Sequence, residues 1–221
     1  MDLPVSLFPA SWHWISLILS LFVFHHLATT IRWKHLAAPA QLNLLLGFVV
    51  SLILLWSLRA GVKPGLNLHL LGAMATTLAL GPRLAIVALG LALAGITLNG
   101  ALEWQAWPLN FLLMGVAPVL AAQLWLRTVE RRLPAHLFVF IFVVAFIGSA
   151  VTAMLQGVLA AAAMVAGSAY SFAFLASDYL PYLLLLGFAE AWMSGAAITL
   201  MVVYRPDWVV AFDDRRYLID K

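Results

Sequence analysis

Residues 137–155 read LFVFIFVVAFIGSAVTAML, a run of nineteen residues without a charged side chain. A helix of about 20 apolar residues crosses the hydrocarbon core of a bilayer. Transmembrane β-strands instead are segments of about ten residues in which apolar and polar side chains alternate. The run does not alternate, so it predicts a transmembrane helix and a helical membrane fold.

The composition of the whole chain agrees with this prediction. Of 221 residues, 65% are hydrophobic and 10% are charged, and the mean hydropathy is +1.03. A soluble domain has about 45–50% apolar and about 25% charged residues. The chain is therefore predicted to be an all-α integral membrane protein surrounded by lipid, with no sequence feature that indicates nucleic-acid binding.

Several functional classes are excluded by absent motifs. The chain has no cysteine, which excludes thiolate metal sites, disulfides and cysteine nucleophiles. It contains no nucleotide-binding loop, no HExxH and no GxSxG, so neither an ATPase nor another enzyme is expected, and no organic cofactor is predicted. The start, MDLPVSLFPASWHW, lacks the basic region and cleavage site of a signal peptide, so the first apolar run is expected to remain as a helix.

The apolar runs predict about seven transmembrane helices in one bundle, residues 1–209, followed by a short charged cytoplasmic tail, residues 210–221. The third and fourth spans are short and are separated by a tight turn at Gly81 and Pro82. Residues 167–181 are predicted to be re-entrant or interfacial. The predicted spans are 12–31, 41–58, 67–81, 84–99, 108–126, 136–160 and 179–204.

Basic residues predict the orientation, because cytoplasmic loops of membrane proteins are enriched in Lys and Arg. With the N-terminus outside, the outer loops hold only Arg59 and Lys63. The inner loops and the tail then hold Arg32, Lys34, Arg83, Arg127, Arg131, Arg132, Arg205, Arg215, Arg216 and Lys221. The bias predicts an external N-terminus and a cytoplasmic C-terminus.

His69 is the first candidate functional residue, since it lies about one turn into the predicted third helix, near the outer surface. A neutral imidazole is the commonest protein ligand for metal ions. The alternative is a histidine that hydrogen-bonds between helices or reaches the interface. The helix that follows is rich in small residues, which allow close helix packing: Gly72, Ala73, Ala75, Thr76 and Ala79.

Three further polar residues are candidates to support a site. Glu190 lies near the middle of the seventh predicted span, where a carboxylate is costly and indicates either function or a hydrogen-bonded structural acid. Asn110, near the outer end of the fifth span, supplies an amide to a site or caps the helix start. Glu103, on the preceding loop, is expected to be a solvated surface acid.

The adjacent pair His25 and His26 is a candidate for haem or metal binding. Adjacent residues on a helix point about 100° apart, so both cannot easily face one ion. Interfacial packing of both side chains is the favoured interpretation.

Three stretches together resemble a known family. HLLGAMATTLALGP (69–82), WPLNFLLMGVAP (107–118) and LLLGFAEAWMSGAAITLMVVYRPDWV (184–209) are similar, in the same order, to motifs of the cobalt/nickel-type substrate-binding membrane subunits (CbiM/NikM-like) of energy-coupling factor transporters. The resemblance implies a seven-helix fold with an external N-terminus. It also implies a divalent transition-metal ion as the substrate, with a transmembrane coupling protein and cytoplasmic ATPase subunits as partners.

The same resemblance implies a ligand set. In the family the metal is held by the N-terminal amine, by a histidine directly after the initiating methionine, and by the histidine that opens the HLLGG helix. The last ligand corresponds to His69 and the amine to Met1. This chain begins MDLPVS where the family begins MHIPDG, so Asp2 replaces the histidine and offers oxygen in place of nitrogen. His13 is the candidate for a substitute nitrogen ligand.

Three functional hypotheses follow. The first is the metal-capture subunit of an energy-coupling factor ABC transporter. The second is a diverged member of the same fold that acts as a metal-handling or assembly factor or carries another small solute, and Asp2 motivates it. The third is a haem-binding redox subunit that uses His13, His25, His26 or His136. It ranks last because these histidines do not face one another at equal depth.

Overall fold

The fold is given by a computed structural model that describes residues 3–36, 38–61 and 63–219, and nearly all of this range is helical. Two short strands, β1 (Ala60–Gly61) and β2 (Asn67–Leu68), pair antiparallel. The helices are α1 (Ala10–Thr30), α2 (Trp33–Leu36), α3 (Pro39–Ser57), α4 (Ala73–Leu80), α5 (Pro82–Leu98), α6 (Trp104–Arg132), α7 (Val139–Ala166), α8 (Phe172–Asp178) and α9 (Tyr182–Tyr204).

Five helices of the described chain are long and apolar enough to cross a membrane, namely α1, α3, α6, α7 and α9. The helix α5 is apolar but shorter, at 17 residues. The prediction of a helical, multi-pass membrane protein is thereby confirmed. The sequence predicted about seven spans. The two predicted spans that are not among these five long helices are 67–81 and 84–99.

The third predicted span is wrong as a continuous helix. Residues 67–72 are not helical, and α4 covers only Ala73–Leu80. Eight residues rise about 12 Å, less than half of a hydrocarbon core about 30 Å thick. The chain enters the bundle as a β-hairpin and continues as a non-helical segment. At Gly72, with φ of 69°, it turns into α4. His69 therefore lies before the helix, not one turn into it.

Every residue of α4 is buried, so this short helix is the centre of the bundle. It packs against α5, α6, α7 and α9. Irregular backbone at membrane depth is tolerated only where protein or a cavity surrounds it. The central position of α4 explains how the non-helical segment before it is accommodated.

The tight turn between the third and fourth predicted helices is confirmed. α4 ends at Leu80, Gly81 has φ of 76°, and α5 begins at Pro82. A positive φ favours glycine, and proline is well suited to the first turn of a helix. Arg83, next to this turn, donates from Nη1 to the carbonyl of Thr30 at 3.4 Å, so the end of α1 lies at the same end of the bundle.

α6 and α7 both contain π-helical turns, at Phe111–Val116 and Val139–Ile147. Such turns interrupt the regular hydrogen-bond ladder and are frequent at functional sites. The indole of Trp125 in α6 donates to the carbonyl of Val143 at 3.0 Å and ties the two helices together.

The bundle has two ends, which we name by what they carry. The hairpin end carries residues 3–8, the β-hairpin and the segment 167–181. The tail end carries the Gly81 turn and residues 205–219. The segment 167–181 was predicted to be re-entrant or interfacial; it contains the short helix α8 and contacts the hairpin, since Tyr170 Oη donates to the carbonyl of Pro64 at 2.9 Å.

Candidate functional site

The carboxylate of Glu190 holds the segment that precedes α4. Glu190 lies in α9 and is 1% exposed. Its Oε2 accepts the backbone N–H of Leu71 at 2.8 Å, and its Oε1 accepts that of Gly72 at 2.6 Å and the hydroxyl of Ser194 at 3.0 Å. The two amides lie directly before α4, so Glu190 fixes where the non-helical segment ends.

His69 is buried in this segment, with 6% of its surface exposed. Its ring lies 5.5 Å from the indole of Trp56 between centroids, tilted by 50°. Its Nδ1 is 3.2 Å from the carbonyl of Leu70. A proton on Nδ1, donated to this carbonyl, leaves the lone pair of the ring on Nε2, the usual state of a metal-ligating histidine.

Trp56 of α3 supports the same segment from the other side. Its indole N–H donates to the carbonyl of Leu71 at 3.2 Å, and the side chain is 2% exposed. The peptide group between Leu71 and Gly72 is therefore held at both its oxygen and its nitrogen, by α3 and α9. The sequence offered no signal for Trp56, which resembles the other tryptophans near helix ends.

Asn110 fixes the beginning of the described chain. Its Oδ1 accepts the backbone N–H of Leu3 at 2.9 Å, and its Nδ2 donates to the carbonyls of Leu3 at 2.9 Å and of Ala106 at 3.0 Å. Asn110 is fully buried and lies inside α6, which begins at Trp104. Its interpretation as a cap at the helix start is therefore wrong, and it instead pairs with an N-terminal backbone 107 residues away.

Glu103 and His13 both contact the same N-terminal segment at Val5, two residues after Leu3. Glu103 Oε2 accepts the backbone N–H of Val5 at 3.0 Å, and His13 Nε2 lies 3.3 Å from the carbonyl of Val5. Glu103 is exposed, as expected, but it also has a structural partner. The Nδ1 atom of His13 is buried and has no hydrogen-bond partner among the described residues.

The predicted metal ligands are thus distributed as follows. His69 lies on the buried segment before α4, and His13 lies in α1 beside the N-terminal segment. Met1 and Asp2 lie outside the described residues. Within the described ranges, no three side chains of His, Asp or Glu form a group that could hold a metal ion. The candidate ligand set remains a prediction.

The remaining histidines of the haem hypothesis lie on α1 and just before α7. His25 and His26 are adjacent in α1, and both are exposed. His136 lies just before α7, where its ring stacks on Phe138 at 5.5 Å.

The tail holds the opposite end of α4. The backbone N–H groups of Val210 and Ala211 donate to the carbonyls of Ala79 and Leu78 at 3.2 and 3.0 Å. The last carbonyls of a helix have no partner within it, so these bonds cap α4. The central helix is therefore held at its start by Glu190 and at its end by the tail.

Side chains of the tail strengthen this contact. The rings of Phe212 and Tyr217 pack on Phe140 at 5.1 and 5.0 Å, and Arg216 Nη1 forms an ion pair with Glu130 Oε1 at 2.6 Å. Burial raises the pKa of Tyr217 to about 12.

The connection between α9 and the tail carries its own ion pair. Arg205 forms two hydrogen bonds to Asp207, at 3.1 and 3.0 Å, and these hold the pKa of Asp207 below its usual range.

The fold and the site together define a multi-pass membrane protein that encloses a non-helical segment with a buried imidazole. The family described as the cobalt uptake substrate-specific transmembrane region (CbiM) matches residues 2–208. The chain belongs to this family, which confirms the resemblance found in the sequence, and it is a membrane component of metal-ion uptake.

A solved structure supports the fold. The crystal structure of a truncated transition metal transporter has a TM-score of 0.73 and 16% sequence identity, over 92% of this chain and 99% of that chain. No curated protein matches the chain. The tail from residue 209 onwards, including the amides that cap α4, lies beyond the region that the family model covers.

Proposed function

We propose that this protein is the substrate-binding membrane subunit that captures a divalent transition-metal ion for uptake, with His69 as a nitrogen ligand. The observation that carries the proposal is the position of His69. It is a buried imidazole on a backbone segment that Glu190 and Trp56 hold from two sides, in a chain of the cobalt-uptake family.

The beginning of the chain supplies the remaining ligands in this proposal: the amine of Met1, the carboxylate of Asp2 and, as a further nitrogen, His13. Asn110 holds the backbone of Leu3 inside the bundle, so it anchors the residue that follows Asp2. A carboxylate would offset part of the charge of a divalent ion. It would also shift the donor set from nitrogen towards oxygen, and away from the square nitrogen site that nickel favours.

The partners in this proposal are a transmembrane coupling protein and cytoplasmic ATPase subunits, because the chain itself has no nucleotide-binding motif. A cleft of about 530 Å³ lies between α3 and α9 and reaches α4. Its walls include the small residues Gly47, Ser51, Ser194 and Ala197, which permit close approach of a partner helix. We place the protein in the bacterial cytoplasmic membrane, with the hairpin end outside.

The experiment that tests this function is metal binding by the purified chain. Wild-type protein in detergent is expected to bind one Co²⁺ or Ni²⁺, measured by isothermal titration and by elemental analysis after desalting. His69→Ala should abolish binding, and Asp2→Ala should weaken it. His25→Ala is the matched control, because His25 is exposed on α1. Unchanged binding in the His69 variant would overturn the proposed ligand.

A second candidate function follows from Asp2, which departs from the histidine of the family pattern. In this alternative the chain has lost the ancestral site and serves as a metal-handling or assembly factor, or carries another small solute. Wild-type protein that retains no stoichiometric metal under replete conditions would favour it.

A further inference from the structure

Two buried side chains of α7 each carry a polar atom that has no hydrogen-bond partner among the described residues. Gln156 is 4% exposed and Thr152 is 1% exposed, and they lie one helical turn apart on the buried face of α7. Gln156 Nε2 and Thr152 Oγ1 form no hydrogen bond with any described residue. Ser149, on the same face, differs because its hydroxyl donates to the carbonyl of Ala145 at 2.6 Å.

Such groups are costly unless something binds them. A buried donor or acceptor without a partner costs about 1–3 kcal/mol. Other buried hydroxyls of the bundle, such as that of Ser149, bond to their own helix. Two unpartnered polar groups on one face of α7 therefore point to a ligand that is not part of the chain.

The depth of these residues in the bundle follows from two contacts. A Cβ atom built on Gly148 would lie 2.8 Å from Cε of Met74, and one built on Gly65 would lie 3.6 Å from Sδ of Met164. α7 therefore runs antiparallel to residues 65–74, with position 148 beside 74 and position 164 beside 65.

The lengths of the two segments agree. The sixteen steps of α7 from Gly148 to Met164 rise about 24 Å. Residues 65–72 are not helical, and a fully extended chain of this length would span about 23 Å. Two helical steps from Gly72 to Met74 add about 3 Å. Gln156 is the midpoint of the first segment, and His69 and Leu70 are the midpoint of the second. Gln156 is therefore level with His69, and Thr152 is level with the amides that Glu190 holds.

The packing on the hairpin side of Gln156 agrees with this alignment of α7 and residues 65–74. Ala160 and Ala161, one turn nearer to the hairpin end, belong to the same buried cluster as Leu3 and Leu66. Gln156 therefore lies one helical turn from alanines that pack in the same cluster as Leu3, the residue that Asn110 anchors.

We propose that Gln156 and Thr152 form a second, uncharged wall of the cation site and determine its preference for oxygen-ligated ions. Rotation of the Gln156 amide exchanges Nε2 and Oε1, so either the carbonyl oxygen binds the ion or the N–H₂ group binds a water that the ion retains. The hydroxyl of Thr152 offers a further oxygen. This inference rests on the proposed function of the same site, and it predicts a cation that combines nitrogen with oxygen ligands, such as Co²⁺.

The test compares three changes that each remove a polar group from one face of α7: Gln156→Leu, Thr152→Val and, as the matched control, Ser149→Ala. Co²⁺ binding is measured by isothermal titration on the full chain in detergent, and the thermal midpoint is measured without metal. Gln156→Leu is expected to weaken Co²⁺ binding at least tenfold, and Thr152→Val about threefold. Both should unfold at the same or a higher temperature than wild type, because each removes an unpartnered polar group. Ser149→Ala should bind as wild type.

The outcomes separate the two proposals. If wild type binds Co²⁺ and Gln156→Leu binds it equally well, the second wall does not exist, while the proposed function stands. If wild type binds no transition metal, the proposed function fails and this inference fails with it. Should Gln156→Leu not fold, Gln156→Met keeps the length of the side chain and replaces it in the same comparison.

Discussion

Oε1 of Glu190 lies 2.6 Å from the backbone nitrogen of Gly72, across 118 residues of sequence. This contact joins the middle of α9 to the start of the central helix and gives a membrane-embedded carboxylate a structural task. The acid satisfies two amides that a non-helical segment would otherwise leave unpaired, and the segment carries His69. Glu190 therefore positions the candidate ligand without needing to touch the ion.

Replacing Glu190 by glutamine tests this positioning role. The amide retains one acceptor oxygen and directs an N–H₂ group at a backbone N–H, so one of the two backbone bonds is lost. We expect a loss of about 1–3 kcal/mol in the free energy of unfolding, together with weaker Co²⁺ binding because His69 is less well held. Thermal unfolding and isothermal titration measure the two effects.

The control for this change is Ser194→Ala, which removes only the hydroxyl that donates to Glu190. It should have a smaller effect on both quantities. A Glu190→Gln protein with the stability and affinity of wild type would show that the segment is held by other contacts.

Asn110→Leu is expected to release the beginning of the chain. The change leaves both the N–H and the carbonyl of Leu3 without their partner, although the side chain keeps its approximate size. We expect faster acylation of the N-terminal amine by an amine-reactive reagent, measured by mass spectrometry, and weaker Co²⁺ binding. Asn99→Ala, at an exposed asparagine of the same end, is the control. Equal acylation rates in wild type and variant would contradict the anchoring role.

The sequence predicted those parts of the fold that local patterns determine. The long uncharged run 137–155 became part of α7, and Gly81 followed by Pro82 became the turn between α4 and α5. It failed at residues 67–72, because a buried extended segment and a buried helix are both continuously apolar. What decides between them is Glu190, about 120 residues later, which satisfies the backbone of the extended form.

The candidate site was predictable only in part for the same reason. His69 was found by its position and by resemblance to the family. The pairing of Asn110 with Leu3 and the support from Trp56 depend on contacts between distant parts of the chain, which no local spacing encodes. That Gln156 Nε2 has no partner among the described residues follows from the packing of the bundle, and no sequence pattern signals it.

We proposed that a partner docks in the cleft between α3 and α9. A side chain that blocks this cleft should therefore leave metal binding intact and prevent transport. Gly47 lines this cleft, and a Cβ atom added to it would meet nothing within 4 Å, so a side chain at this position starts in open space. Gly47→Phe should bind Co²⁺ within twofold of wild type and reduce cobalt uptake by cells. Leu46→Phe, at an exposed neighbour that does not line the cleft, should transport normally. Normal uptake by Gly47→Phe would exclude this cleft as the docking surface.

The orientation can be tested directly because the chain has no native cysteine. Asp178 at the end of α8 and Asp214 in the tail are both exposed, at opposite ends of the bundle. With the hairpin end outside, an impermeant maleimide should label Asp178→Cys in intact cells. It should label Asp214→Cys only after permeabilisation. The reverse pattern would overturn the predicted topology.

The tail caps α4 at one end, and His69 lies just before the other end of this helix. We therefore expect a link between the tail end of the bundle and the candidate site. Phe212 is 8% exposed and packs on Phe140 and Tyr217, so Phe212→Ala should lower the free energy of unfolding by about 3 kcal/mol. Leu218→Ala, at a side chain that is 50% exposed in the same tail, should change it little.

The same tail variant should also affect the distant site. A less firmly packed tail weakens the bonds from Val210 and Ala211 to the last carbonyls of α4 and loosens this helix. Co²⁺ should therefore dissociate faster from Phe212→Ala than from wild type. Stopped-flow exchange against a chelator measures this rate. If unfolding is easier but the dissociation rate is unchanged, the tail stabilises the bundle locally and α4 does not transmit the effect to His69.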